Sequence, residues 1–116
     1  KENSKKYIDI FNKIYNYEII LTDRDKVVYS TVDNQNLEAI KLTNDIVRSI
    51  EERKEYKNTT LKLSSDIILN CNYLFIPVII DTDALGSLIL ISNHDIKHED
   101  ELNLRLLYHL IKLELL

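Results

Sequence analysis

Residues 73–92 read YLFIPVIIDTDALGSLILIS, and this stretch decides the fold of the chain. Two apolar runs, 73–80 and 87–92, stand on either side of a turn region that begins with the polar residues 81–83. Short apolar runs bounded by turn residues are typical of strands that are buried on both faces. The stretch therefore predicts a hairpin of two central strands. Pro77 has no N–H to donate, so we expect its strand to have an edge or a bulge there.

The segments around this hairpin alternate between helical and strand patterns. Apolar residues spaced three and four apart predict helices, and short β-branched or aromatic runs predict strands. We expect helices over residues 2–16, 36–54 and 99–116, a first hairpin over 18–32, an edge strand over 59–63, and a short strand or loop anchor over 67–69. The pattern indicates one α/β (α+β) domain with a central, mainly antiparallel sheet. The terminal helices are expected on one face, with helix 36–54 near the other.

The last predicted helix is apolar nearly all round. One side carries Leu102, Leu106, Leu110 and Leu113, and another carries Leu104, Leu107, Ile111 and Leu115. A sheet covers only one side of a helix, so such a helix is expected to pack on a partner chain as well. We therefore predict a homodimer or a higher homo-oligomer. Its interface is expected to contain Phe11, Leu104, Leu107, Ile111 and Leu115.

The composition is that of one globular domain. Hydrophobic residues make up 45% of the 116 and charged residues 29%, which is an ordinary balance for such a domain. No apolar run approaches the roughly 20 residues that span a bilayer, and the single Cys71 can form no internal disulfide. We expect a cytoplasmic location and no membrane contact. Because the chain starts at Lys1 and lacks Met, we expect residues 1–116 to be one domain excised from a larger protein.

The charge pattern argues against binding of nucleic acid by this segment. The formal net charge is -4, and the basic residues are scattered along the chain. DNA binding at physiological salt depends on several clustered Lys or Arg side chains that displace counterions from phosphates. We therefore expect no affinity for DNA.

No group of residues predicts catalysis, a cofactor or a metal. His94 and His98 stand four residues apart beside acidic residues, but acidic residues at a helix start offset the helix dipole and need no metal. Cys71 lies between two asparagines, which supply no charge to lower its pKa. A chain with one glycine cannot form a phosphate-binding loop or a dinucleotide fingerprint. We predict a domain that is not an enzyme.

Tyrosine is over-represented, with seven residues. Tyrosines commonly fill strands and interfaces, and they can also line a pocket in which the hydroxyl orients a ligand. We expect Tyr29, Tyr73 and Phe75 to be the lining residues of any ligand pocket. That pocket is predicted between the sheet and residues 33–66, where polarity is mixed and strand signals are weak, and its ligand would be an unidentified small molecule.

Two groups of residues resemble known families. The spacing from the proline in 75–80 to the glycine in 86–90 is similar to the hairpin that GAF domains carry before their last helix. Together with Asp-Arg-Asp at 23–25 and Glu-Glu-Arg-Lys at 51–54, it resembles the C-terminal domain family of stage V sporulation protein T. The similarity spans residues 8–116.

The resemblance implies a GAF-like, PAS-related sensor domain from a bacterial transcription regulator of endospore formation. In that family a DNA-binding arm precedes the domain, so DNA would be a partner of the full-length protein. Three hypotheses follow: a signal-sensing and oligomerising module of a sporulation transcription factor, a dimerisation scaffold without ligand, or a sensor domain of a signalling kinase or enhancer-binding protein. The residues upstream of Lys1 would separate the first from the third.

Overall fold

The structure, a computed structural model, describes residues 2–33 and 35–115. Within these residues, three helices and five strands follow one another. They are α1 (Glu2–Tyr15), β1 (Glu18–Thr22), β2 (Val27–Ser30), α2 (Asn44–Glu51), β3 (Tyr56–Ser64), β4 (Ile67–Ile80), β5 (Asp83–Ser92) and α3 (His98–Leu115). The predicted α+β fold with an antiparallel sheet is confirmed.

The five strands form one sheet in the order β2-β1-β5-β4-β3, and every neighbouring pair is antiparallel. The hairpin predicted from residues 73–92 lies in the middle, with Phe75 opposite Ile89. Pro77 is paired with Ser87 on one side only, because the pairing of β4 with β3 reaches no further than Phe75. A proline without an N–H is tolerated at such a local edge.

Each face of the sheet has its own apolar core, as the alternation of side chains along a strand requires. The face that we call the helical face packs against α1 and α3, and its sheet residues include Leu74, Ile76, Leu88 and Leu90. The opposite face, called the loop face, packs against α2 and the segment before it, and its sheet residues include Tyr73, Phe75 and Ile89. The predicted placement of the helices on the two faces is confirmed.

Helix α2 is shorter than the pattern predicts. The apolar spacing from residue 36 onward indicated a helix over 36–54, whereas α2 begins at Asn44. The segment before it is held against β2 instead: the amide of Val27 donates to the carbonyl of Ile40 at 2.9 Å, and the amide of Ala39 donates to the carbonyl of Val27 at 2.9 Å. Thr43 then caps the helix by accepting from the amide of Ile46 at 3.4 Å. Tertiary hydrogen bonds have overridden the local helical pattern.

The two strands after α2 are longer than predicted. The short runs 59–63 and 67–69 belong to a continuous β3–β4 hairpin, with Leu61 opposite Leu69. Within the part of the chain that the structure describes, each helix falls short of the length or apolar character that crossing a lipid bilayer requires.

Candidate functional site

The structure does not bring together the three residues predicted to line a ligand pocket. Tyr29 packs on the helical face, where its hydroxyl donates to a carboxylate oxygen of Asp9 at 2.5 Å. That hydrogen bond, together with burial, raises the pKa of Tyr29 to about 12. Tyr73 and Phe75 lie on the loop face. The expected grouping is wrong because β1 and β5 separate β2 from β4, and because the strand registers turn Tyr29 to the other face.

On the loop face, Tyr73 and Phe75 are core residues. Phe75 has no exposed surface and Tyr73 is 4% exposed. The ring of Tyr56 stacks on Phe75 with centroids 5.0 Å apart and meets Tyr73 edge-on at 6.0 Å. Burial, with Tyr56 close by, raises the pKa of Tyr73. Four further residues, Leu37, Ile50, Leu61 and Leu63, are at most 1% exposed, so side chains occupy the space where the pocket was predicted.

Most of the residues predicted for a dimer interface also face the core of their own chain. Leu107 and Ile111 have no exposed surface, and Leu104 is 1% exposed. Phe11 is 7% exposed, and Leu115 is half-buried against the same core. These side chains cover the helical face of the sheet. On the opposite stripe of α3, Leu102, Leu106 and Leu113 are exposed, whereas Leu110 is half-buried against the core. The exposed leucines of α3 are therefore not the ones predicted for the interface.

The exposed apolar surface lies on the outside of α1 and α3. Of the eight large hydrophobic residues that are exposed among the described ones, six belong to these two helices. Five of them form what we call the outer helical surface: Ile10 (49% exposed), Ile14 (66%), Leu102 (57%), Leu106 (53%) and Leu113 (69%). Scattered exposed leucines are ordinary, but a group of this size on adjacent helices is a candidate interaction site.

The two halves of the outer helical surface are adjacent because α1 and α3 pack side by side and run antiparallel. At one end, the amide of Asn3 donates to the carboxylate of Glu114 at 3.0 Å. At the other end, the hydroxyl of Tyr17 donates to Asp100 at 2.5 Å and accepts from Asn103 at 3.2 Å. Ile14 lies eleven positions after Asn3, three helical turns on, so it projects from the side of α1 that faces α3.

A second feature is an open cleft of about 410 Å³ at the end of the sheet where α1 meets β1. Its wall carries Tyr15 and Tyr17, whose rings stack with centroids 5.3 Å apart. Burial and the hydrogen bond to Asp100 raise the pKa of Tyr17 to about 12, and burial raises the pKa of Glu18 on the same wall. Because Tyr17 already donates to Asp100, the hydrogen bonds among Tyr17, Asp100 and Asn103 chiefly hold the beginning of α3 against the segment that leads into β1.

The remaining polar candidates stand apart from one another. His94 and His98 are exposed, and among residues 2–33 and 35–115 no three His, Cys, Asp or Glu side chains converge on a metal-binding geometry. Burial raises the pKa of the Cys71 thiol, which leaves it less nucleophilic. Asp23 shapes a turn: partial burial opposes its ionisation, but hydrogen bonds from the amides of Asp25 and Lys26 at 2.7 and 2.8 Å lower its pKa.

Solved structures share this architecture. A methyl-accepting chemotaxis protein, residues 122 to 287, superposes with a TM-score of 0.71 over 92% of this chain and 88% of that chain, at 12% sequence identity. At that identity the similarity concerns the fold alone. None of the curated proteins matches the chain by sequence.

The sequence itself matches a family. The family model described as stage V sporulation protein T C-terminal, transcription factor, covers residues 1–109. That range contains the Asp-Arg-Asp turn, the end of α2, the whole sheet and most of α3. The chain therefore belongs to the stage V sporulation protein T C-terminal family and is a regulatory domain of the kind found in that transcription factor.

Proposed function

We propose that this chain is the dimerising, signal-sensing domain of a sporulation transcription regulator. The observation that carries the proposal is the outer helical surface, which leaves five large apolar side chains about half or more exposed on two adjacent helices. In water such a surface favours association, since each apolar side chain that becomes buried contributes about 1.5–3 kcal/mol of transfer free energy at most.

The proposed partner is a second copy of the same chain. When the outer helical surfaces of two chains meet across a two-fold axis, α1 and α3 of each chain form a four-helix bundle. The stripe on α3 follows helical spacing, with Leu102, Leu106 and Leu113 four and seven positions apart, so these residues present one continuous edge to a partner helix. A self-complementary apolar stripe is what an isologous interface requires.

The regulatory role follows from the family. In regulators of this type a DNA-binding arm lies upstream of the domain, and dimerisation of the domain would set the spacing of two such arms. A signal that alters the packing of α1 against α3 would alter that spacing. In this proposal the domain changes state in response to a signal, and the upstream arm is the part that binds DNA. We expect it to work in the cytoplasm and without a cofactor.

Light scattering on a sizing column tests the association. At tens of micromolar the chain is expected to elute with twice the monomer mass. The double variant Ile14→Glu/Leu106→Glu places charges on the outer helical surface and is expected to elute as a folded monomer with an unchanged circular dichroism spectrum. Ile68→Glu is the matched control, because Ile68 is 56% exposed and lies on β4 beside the β3–β4 turn, outside the outer helical surface. Its mass should stay that of a dimer.

Three results would contradict all or part of the proposal. A wild-type chain that is monomeric at these concentrations would refute the dimer. If the dimer persists in the double variant but dissociates in Ile68→Glu, the interface lies on the β3–β4 hairpin and not on the outer helical surface. A dimer that forms but responds to no small molecule would support the scaffold alternative.

A further inference from the structure

A small cavity of about 160 Å³ lies on the helical face, between the beginning of α1 and the end of α3. Most of its wall is apolar, and five side chains from β1, β2, β4, β5 and α3 supply this part: Leu21, Val28, Val78, Leu85 and Leu115. Leu85 is 38% exposed and Leu115 is half-buried, so the cavity opens to solvent beside them. It lies at the opposite end of the helical face from the cleft at Tyr17.

Ser4 is the unusual member of the cavity wall. Its side chain on α1 has no exposed surface, and its hydroxyl oxygen has no hydrogen-bond partner among the residues that the structure describes. The neighbouring hydroxyls are paired: Thr22 and Ser87 share a hydrogen bond of 2.7 Å, and Thr22 also accepts from the amide of Ser87 at 3.1 Å. A buried polar group without a partner destabilises a fold, so it indicates a partner supplied from elsewhere.

Size and charge define the partner. A dry apolar cavity of about 150 Å³ in another protein accommodates benzene, so this cavity has room for about six or seven non-hydrogen atoms. Asp23 stands on the wall with its carboxylate paired to Lys26 Nζ at 3.1 Å and to two backbone amides. With these partners its charge is already compensated, and a charged ligand would lose hydration that the largely apolar wall cannot replace. We propose that the cavity binds a small neutral molecule with an apolar body and one hydroxyl or carbonyl group, which hydrogen-bonds to Ser4.

The cavity is placed to act on the helix pair. Ser4 belongs to α1 and Leu115 to α3, so a molecule in contact with both strengthens the contact between these two helix ends. The Asn3–Glu114 hydrogen bond at this end is exposed and contributes little by itself. An effect of the ligand on dimer pairing rests on the proposed function above, whereas binding to the cavity does not.

Cyclohexanol is a suitable probe because it is neutral, of the right size and carries one hydroxyl. Titrated into the ¹⁵N-labelled chain, it should produce saturable amide shifts at Ser4, Val28 and Leu115. Cyclohexanecarboxylate at neutral pH has the same ring with an anionic head, and it should bind at least about tenfold more weakly, since the apolar wall cannot replace the hydration of its carboxylate. Absence of saturable shifts with cyclohexanol would overturn the proposal.

Two variants test the residues. Ser4→Ala should weaken cyclohexanol binding about three- to tenfold, as expected for one lost hydrogen bond, and should leave binding of methylcyclohexane unchanged. The same variant should raise the melting temperature of the free chain, because it removes an unsatisfied hydroxyl. Val28→Phe should fill the cavity and abolish binding, whereas Val32→Phe, the same change at a residue that packs on the loop face, should not. Equal cyclohexanol affinity in Ser4→Ala and wild type would refute the assigned role of Ser4.

The double variant Ile14→Glu/Leu106→Glu separates this inference from the proposed function. Binding of cyclohexanol to that monomer would support the cavity even if the wild-type chain proved not to dimerise. A wild-type dimer without cyclohexanol binding would refute the cavity and leave the dimer standing.

Discussion

The two faces of the sheet are covered in different ways. Two long regular helices cover the helical face, whereas an eight-residue helix and an irregular segment cover the loop face. The helices leave a cavity at one end and turn apolar residues outward. The irregular segment adapts to the sheet, and its side chains fill the space around Phe75. A regular helix presents side chains on all sides, so α1 and α3 turn apolar residues to solvent as well as to the core.

The largest difference is expected between two neighbouring residues of α3. Leu107→Glu places a charge in the core of the helical face, which costs more than about 4 kcal/mol and should unfold the domain. Leu106→Glu changes a residue that is 53% exposed, so it should weaken the proposed dimer and preserve the fold. Urea unfolding followed by circular dichroism, with light scattering on the same samples, distinguishes the two. A folded, monomeric Leu107→Glu would mean that the leucine stripes are assigned the wrong way round.

A second test compares the two cores through their phenylalanines. Phe75→Ala on the loop face should cost about 4–5 kcal/mol, because its ring is fully buried and stacked on Tyr56. Phe11→Ala on the helical face should cost about 3 kcal/mol, since Phe11 retains 7% exposure at the border of its core. Free energies of unfolding from urea titrations give both values. A larger loss for Phe11 would show that the helical face has the more tightly packed core.

A third test concerns Gly86, which borders the cavity. A Cβ atom at this position would lie 1.9 Å from the carbonyl oxygen of Thr22 and 2.9 Å from the Cα of Asp23. Backbone atoms cannot move aside cheaply, so Gly86→Ala should cost about 1–3 kcal/mol and distort the cavity. Asp83→Ala, at an exposed residue of the same strand, should change stability by less than about 0.5 kcal/mol. If Gly86→Ala proves neutral, the approach of β5 to β1 must be looser than the structure shows.

The smallest expected effect is a pH dependence on the helical face. The folded pKa of Tyr29 is raised to about 12 from the ordinary 10.0, so the unfolded chain loses this proton first as the pH rises. The stability that the Tyr29–Asp9 hydrogen bond contributes is therefore complete below pH 10 and is lost between pH 10 and about 12. Tyr29→Phe should flatten this part of the stability curve. An unchanged slope in the variant would show that the hydrogen bond is absent in solution.

The predictions of secondary structure that the structure confirms rest on interactions between residues close together in the sequence. The hairpin over residues 73–92 and the first hairpin follow from apolar runs beside turn residues, and the terminal helices follow from their spacing. These features depend on neighbours within a few positions. The placement of the helices on two faces and the family resemblance were also within reach of the sequence, because residues 75–80 and 86–90 carry a recognisable spacing.

The candidate site depended on contacts between distant residues. One stripe of α3 consists of four leucines and the other of three leucines and an isoleucine, so hydrophobicity could not distinguish Leu106 from Leu107. A signal did exist in Tyr108, whose hydroxyl reaches the backbone of Ile79 at 3.3 Å and so turns its side of the helix to the sheet. Ser4 gave no signal, because serine in a first helical turn is ordinary.

The amino-acid sequence by itself determined which segments form helices and central strands, since backbone preference, side-chain alternation and turn chemistry act over short distances. Only the tertiary structure decided which side of α3 is buried and that Tyr29 and Tyr73 lie on opposite faces of the sheet. It also decided that the segment before Asn44 forms hydrogen bonds with β2 instead of a helix. The physical reason is that burial is a property of the assembled sheet: the same leucine stabilises the core or the outer surface according to the strand order and registers that place the sheet beneath it.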